Sequence, residues 1–138
     1  MDESLHNLLM INQSAFHKKV FMNLSDTNLT IGQPKVLDFL KNHNGCVQKE
    51  IAVACEIEPA TVTSLLLKME ESGLIERKMQ NGNRRSLYVY LTAEGTLMQK
   101  KVESVFDKLE NVAFEGFTQN EISNFMKLFL RIYNNITR

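Results

Sequence analysis

Apolar residues recur along this chain mostly at helical spacing, and the places where that spacing breaks set the order of elements. Between residues 4 and 24, Leu5, Leu8, Leu9, Ala15, Phe16 and Val20 form a stripe that Ile11 and Met22 widen, which predicts a long helix covered from more than one side. The polar stretch from Ser25 to Asn28 interrupts it. In "LTIGQPKVLDFLKNHNG", Thr30 and Gln33 predict a capping box, Val36, Leu37, Phe39 and Leu40 supply the apolar face, and Asn44-Gly45 is the expected stop. A short helix over Gln48 to Cys55 follows, then a turn of three residues, Glu56 to Glu58. Pro59 opens the next helix, a position where its missing amide costs nothing. That helix buries Val62, Leu65, Leu66 and Met69 at i, i+3, i+4 and i+7, and Gly73 can take the left-handed cap. Two short helices joined by so tight a turn make a helix-turn-helix.

The period then changes to two. Leu74 to Met79 reads as a strand, and in a second one Leu87, Val89 and Leu91 point one way while Tyr88 and Tyr90 point the other. Asn81-Gly82 between them suits a turn with positive φ angles. Helical spacing returns after Thr92, the expected cap of a helix with Met98, Val102, Val105, Phe106, Leu109, Val112 and Ala113 on its apolar side, ending near Gly116. Thr118 and Glu121 predict a second capping box, with Phe117 and Ile122 as its hydrophobic staple. The last helix carries Ile122, Phe125, Phe129, Ile132 and Ile136 at alternating steps of three and four, broadened by Met126 and Tyr133, with Leu128 and Leu130 off the stripe.

A terminal helix apolar on several sides needs more partners than one subunit of this size provides. The first, fifth and sixth helices are therefore expected to bury themselves in a homodimer, with Leu5, Leu8, Leu9, Ile122, Phe125, Phe129, Ile132 and Ile136 in the seam. The expected fold class is mainly α with a small β-wing: a winged helix-turn-helix flanked by long N- and C-terminal dimerisation helices. It divides the chain into an N-terminal dimerisation helix at 1–29, a winged helix-turn-helix at 30–92 and C-terminal dimerisation helices at 93–138.

Composition narrows the function. With 43% hydrophobic and 23% charged residues in 138, the chain is ordinary globular material. Its 16 Lys plus Arg balance 16 Asp plus Glu, so a polyanionic partner has to be argued from where the positive charges sit. Met1-Asp2-Glu3 is the wrong sign for a secretory signal and no apolar run reaches the roughly 18 residues of a membrane span, so a cytoplasmic protein without a membrane partner is expected. Cys46 and Cys55 match no metal spacing, and His6, His17 and His43 are scattered. No phosphate loop, nucleophile elbow or metal motif occurs, so neither an enzyme nor a metal or cofactor site is expected.

The charge that matters is local. The exposed beginning of the helix after Pro59 offers Ala60, Thr61, Thr63 and Ser64, small enough for close backbone approach, with hydroxyls for phosphates or base edges; Leu67 and Lys68 continue that face. Arg77, Lys78, Arg84 and Arg85 lie within nine residues opposed only by Glu76, an excess of three positive charges in a neutral chain. Arginine at a loop tip can enter a narrow minor groove. The candidate DNA contacts are thus Ala60, Thr61, Thr63, Ser64, Leu67 and Lys68 in the helix, and Asn83, Arg84 and Arg85 in the wing.

These residues resemble the MarR-type regulators, the multiple-antibiotic-resistance repressors. The family's wing pattern, Asp-x-Arg, three variable residues, Val-x-Leu-Thr, falls on Asn83, Arg85, Val89, Leu91 and Thr92. "LTIGQPKVLDFL", "QKEIA", "TVT" and "MEESGLIER" extend the resemblance, which covers about residues 5 to 136. It implies a homodimer seated on a pseudo-palindromic double-stranded operator, acting as a repressor and released by a small, often aromatic or anionic, effector. Three positions depart from the family: Asn83 for the usual Asp that braces the wing arginine, Ser64 where Arg is common, and Glu56 for the Gly of the turn, which asks a non-glycine residue for a positive φ. Two other readings use the same residues. One is a winged-helix module whose exposed helix binds a protein partner; the other is a redox-responsive regulator using Cys46, the cysteine expected to be more exposed, while Cys55 reads as a small core residue.

Overall fold

The structure, a computed structural model, describes residues 1–80, 82 and 86–138. It comprises two compact units, Met1–Phe106 and Asp107–Arg138.

In the first unit, α1 (Leu5–Asn23) starts at Ser4, whose Oγ accepts from the Asn7 amide at 3.4 Å. Val20 is its buried residue, while Leu5, Met10, Ile11, Phe16 and Met22 are exposed. The chain turns into the core through Leu24 and Leu29, both buried. Helix α2 (Gln33–Leu40) differs from its expected form at both ends. Its N-cap is Gly32 at φ 91°, and no side chain caps it; Thr30 stays two residues outside, where Gln33 Oε1 accepts from its amide at 3.0 Å. Half of the predicted capping box is present, because the left-handed Gly32 inserts the extra residues that carry the Thr30 hydroxyl away from the helix start. At the other end the helix stops at Leu40, ahead of Asn44-Gly45. A tight turn from His43 N to Leu40 O, 3.3 Å, closes it, and Gly45 at φ 86° redirects the chain into a strand.

That strand, β1 (Cys46–Val47), has no pattern of its own in the sequence. It exists because β3 (Leu87–Leu91) accepts it: Cys46 pairs with Val89 and Val47 with Tyr88, and Asn44 Oδ1 takes the Leu91 amide at 2.8 Å. On its other edge β3 pairs antiparallel with β2 (Ile75–Met79), from Ile75↔Leu91 to Met79↔Leu87, giving the order β1-β3-β2.

Helix α3 (Gln48–Ala54) and helix α4 (Pro59–Glu71) flank the turn, with Pro59 in the first turn of α4 as expected. Ile51, Val62, Leu66 and Met69 are fully buried with Val36, Leu37 and Leu40 of α2, Ile75 and Val89 of the sheet, and Val102 of α5 (Ala93–Ala113). Leu65 is buried too, so all four apolar positions predicted for α4 enter the core. Glu56 takes φ 53°, the left-handed conformation foreseen for it and the one positive φ among the described non-glycine residues.

Thr92 caps α5: its Oγ1 accepts from Gly95 N at 3.0 Å and donates to Gly73 O at 2.6 Å, joining the C-terminus of α4 to the start of α5. Gly95 is buried there. A Cβ on it would lie 1.8 Å from the Leu74 carbonyl oxygen, which explains a glycine inside a helix. Ion pairs of Lys41 with Glu103 and of Lys101 with Asp26 tie α5 to the ends of α2 and α1.

The second unit holds the end of α5 and α6 (Gln119–Ile136). Thr118 and Glu121 form the predicted capping box, with Glu121 N to Thr118 Oγ1 at 3.1 Å and Thr118 N to Glu121 Oε1 at 2.9 Å. Phe114 meets Phe117 and Phe125 edge-on, and Phe125 meets Phe129. No residue of α6 is buried.

Candidate nucleic-acid interface

Helix α4 places its two faces as its sequence dictates. The apolar positions turn inward, and Ala60, Thr61, Thr63, Ser64, Leu67 and Lys68 are all exposed on the outside. They share a surface at the beginning and middle of the helix, where free amides and small side chains permit close approach to a phosphate backbone. The wing candidates Asn83, Arg84 and Arg85 lie outside the described residues. In the described part of the ribbon Val89 is fully buried, and Gly82 has the positive φ, 69°, expected of the turn.

The hydroxyl of Thr63 is already engaged. It donates to Pro59 O, one turn back, at 3.1 Å, and accepts from Gln48 Nε2 at 2.8 Å. Gln48 Oε1 in turn accepts from Arg77 Nη1 at 3.4 Å. Arg77 Nη2 donates to Glu70 Oε1 at 3.1 Å, and the Arg77 amide donates to Glu70 Oε2 at 3.2 Å. A single chain of hydrogen bonds therefore runs from the last turn of α4, through β2 and the first residue of α3, back to the first turns of α4.

This corrects the expected charge cluster. Arg77 is not part of an exposed positive patch: its side chain is 13% exposed, its Nε is buried without a partner, and Glu70 neutralises it. The guanidinium holds the Glu70 carboxyl below the usual glutamate range, against a smaller opposing effect of burial. Lys78 is paired as well, 3.5 Å from Glu76 and 5.3 Å from the centroid of the Tyr90 ring. Both described cations of the cluster thus have carboxylate partners. A signal for Arg77 existed in the sequence: it shares strand parity with the buried Ile75, so its side chain leaves β2 on the core-facing side.

The cysteines separate as expected in exposure but not in chemistry. Cys55 is buried, its Sγ 3.9 Å from Lys35 O. Cys46 is partly covered in β1, and burial, aided by the negative charge of Glu50, pushes its thiol up to about 11. A redox-sensing cysteine needs the opposite, a thiolate stabilised by positive charge, so the environment of Cys46 argues against it as the sensor.

Of the proposed seam residues, Leu5, Phe125, Phe129 and Ile136 are 52%, 45%, 40% and 69% exposed, and Leu8, Leu9, Ile122 and Ile132 are partly covered. Among the described residues no helix is long and apolar enough to cross a membrane.

Comparison with known proteins agrees with this geometry. The sequence profile of the MarR family matches residues 29–87, the whole span from the entry to α2 to the start of β3. An uncharacterized HTH-type transcriptional regulator of Bacillus subtilis (strain 168), YwoH, is 30% identical over 126 residues, covering 90% of this chain and 91% of the relative. The fold superposes on the crystal structure of MarR with a TM-score of 0.85 at 28% identity, covering all of this chain and 95% of the other. It also superposes on MepR of S. aureus in complex with DNA, with a TM-score of 0.90 at 21% identity, covering 98% and 99% of the two chains. An exposed helix-turn-helix, a two-stranded wing and a family-wide match in sequence converge: the chain belongs to the MarR family of winged-helix transcriptional regulators and is a DNA-binding regulator of transcription.

Proposed function

We infer that the protein acts as a homodimer on a pseudo-palindromic operator, with α4 in the major groove through Ala60, Thr61, Thr63, Ser64, Leu67 and Lys68, and with Asn83, Arg84 and Arg85 of the wing at the adjacent minor groove. The observation that carries this reading is the outer face of α4, where six small, hydroxylated, apolar or basic side chains stay at the surface while Val62, Leu65, Leu66 and Met69 are buried on the opposite face. In this division residues 30–92 read DNA, and residues 1–29 and 93–138 supply the dimer seam. Its support is the run of exposed apolar side chains along α6, Phe125, Met126, Phe129, Tyr133 and Ile136. Two such helices closing on each other would remove from water what one subunit leaves in it. Half-sites about 10 base pairs apart let both α4 helices enter successive major grooves on one side of the duplex.

Repression, with release by a small aromatic or anionic effector, completes the proposal and rests on likeness to the family. The cytoplasm, where operators are, is the compartment it requires. Fluorescence-anisotropy titration against the DNA upstream of the protein's own gene tests the reading. Binding tighter than about micromolar that weakens steeply with salt is expected of a dimer neutralising several phosphates. Absence of salt-sensitive binding would favour the other use of an exposed α4, docking of a protein partner.

A further inference from the structure

The hydrogen-bond chain through Thr63 has only one consistent polarity. Arg77 is a donor without acceptors, so the atom of Gln48 facing its Nη1 at 3.4 Å has to be the amide oxygen. That leaves the amide nitrogen of Gln48 to face Thr63, 2.8 Å away, where it donates. At the far end Pro59 O is an acceptor without a proton, so at 3.1 Å the Thr63 hydroxyl donates to it. A hydroxyl has one proton and two lone pairs. The proton and one lone pair of Thr63 are spent inside the protein. What an exposed Thr63 still presents to DNA is a single lone pair and a methyl group.

Phosphate oxygens are acceptors, so a hydroxyl without a free proton cannot bind them. In the major groove the groups that donate are the amino groups, N6 of adenine and N4 of cytosine. Resting on the placement of α4 in that groove, we propose that Thr63 reads an amino-bearing base, adenine or cytosine, as a hydrogen-bond acceptor, and that Gln48 and Arg77 are positioning residues that fix this choice. Arg77 and Gln48 touch no base. They determine which way a threonine, able to donate or accept in isolation, faces the operator. Glu70 completes the device by holding the guanidinium through both its side chain and its backbone.

The test uses the full-length protein and a duplex selected by it from a random library. In that duplex each adenine is replaced in turn by purine, which lacks the N6 amino group, and each cytosine by pyrimidin-2-one, which lacks the N4 amino group. The wild type should lose roughly five- to tenfold in affinity at one such position per half-site, the worth of one hydrogen bond. Thr63→Val, which keeps the shape and a methyl, should lose that discrimination while leaving the salt dependence unchanged. Gln48→Met should weaken the discrimination by freeing the hydroxyl to rotate, and Thr63→Ser should retain it. Three results overturn the proposal: no amino group whose loss Thr63→Val renders silent; a Thr63→Val loss uniform across sequences with a shallower salt slope, as for a phosphate contact; or discrimination unchanged in Gln48→Met. Lys68→Ala, measured alongside, separates this from failure of the α4 assignment. If Lys68→Ala weakens binding and Thr63→Val leaves base preference alone, only the acceptor role is lost; if neither variant has an effect, α4 is not the reading helix.

Discussion

Arg77 Nη2 of β2 stands 3.1 Å from Glu70 Oε1 of α4, and this pair couples the two-stranded ribbon to the second helix of the helix-turn-helix. Under the proposed docking it joins the two elements assigned to different grooves, so its geometry governs how both are presented together. Replacing Arg77 with Ala leaves Gln48 and the 37% exposed Glu70 without their donor, and because water can reach Glu70 the expected cost is about 1 kcal/mol of stability. Urea denaturation checks the figure. DNA binding should weaken without a change in its salt slope, because Arg77 faces inward; a slope smaller by about one would mark it as a phosphate contact instead.

The same pair predicts a pH response. Glu70's carboxyl is lowered in the folded state, chiefly by its hydrogen bond to Arg77, so the unfolded chain binds the proton more readily. The stabilisation is present above the ordinary glutamate value of 4.5 and is lost as the pH falls through the lower folded value. Glu70 is 37% exposed, so solvent screens the effect, and the loss should be modest. Thermal melts of the wild type and Glu70→Gln should converge on acidification below that range. A gap that stays constant with pH would show that charge is not the source.

Gly95→Ala should be among the most damaging single-methyl additions in the chain. The added carbon would meet the Leu74 carbonyl oxygen at 1.8 Å, and that oxygen also accepts from Thr92 N at 3.1 Å, so it cannot retreat without opening the junction between wing and α5. A loss of at least about 2 kcal/mol is expected, although alanine is the better helix former. A variant as stable as the wild type by calorimetry is incompatible with this packing.

Phe129→Asp probes the seam. In one subunit Phe129 is 40% exposed, so the change should leave the fold of the chain intact, while a charge in a closed apolar interface is strongly unfavourable. Sedimentation equilibrium is expected to show a shift from dimer towards monomer with near-native circular dichroism. An undisturbed dimer would move the seam elsewhere.

The parts of this fold that were readable from sequence are those where one residue type leaves few options. Pro59, the i, i+3, i+4, i+7 run of Val62, Leu65, Leu66 and Met69, and Gly73 at φ 79° delimit α4 because each forbids the alternative at its position. Thr118 and Glu121 specify their cap through contacts three residues apart. Strand β1 was not readable, since Cys46 and Val47 become a strand only by pairing with residues more than forty positions away. The α2 cap misled for a related reason: Thr30 and Gln33 carry the spacing of a capping box, but the left-handed Gly32 shifts the helix start by two residues. At the site, the outer face of α4 followed from its inner one. The engagement of Thr63 and the pairing of Arg77 did not, because both depend on Gln48 and Glu70 arriving from other elements.

The claim on which the account turns is that α4 lies against DNA, and the most direct measurement is the affinity of Lys68→Ala for the selected operator across a series of salt concentrations. The account predicts weaker binding to every sequence, with the slope of log affinity against log salt reduced by about one per Lys–phosphate contact removed. Affinity and slope both equal to the wild type, with the dimer intact, would contradict it.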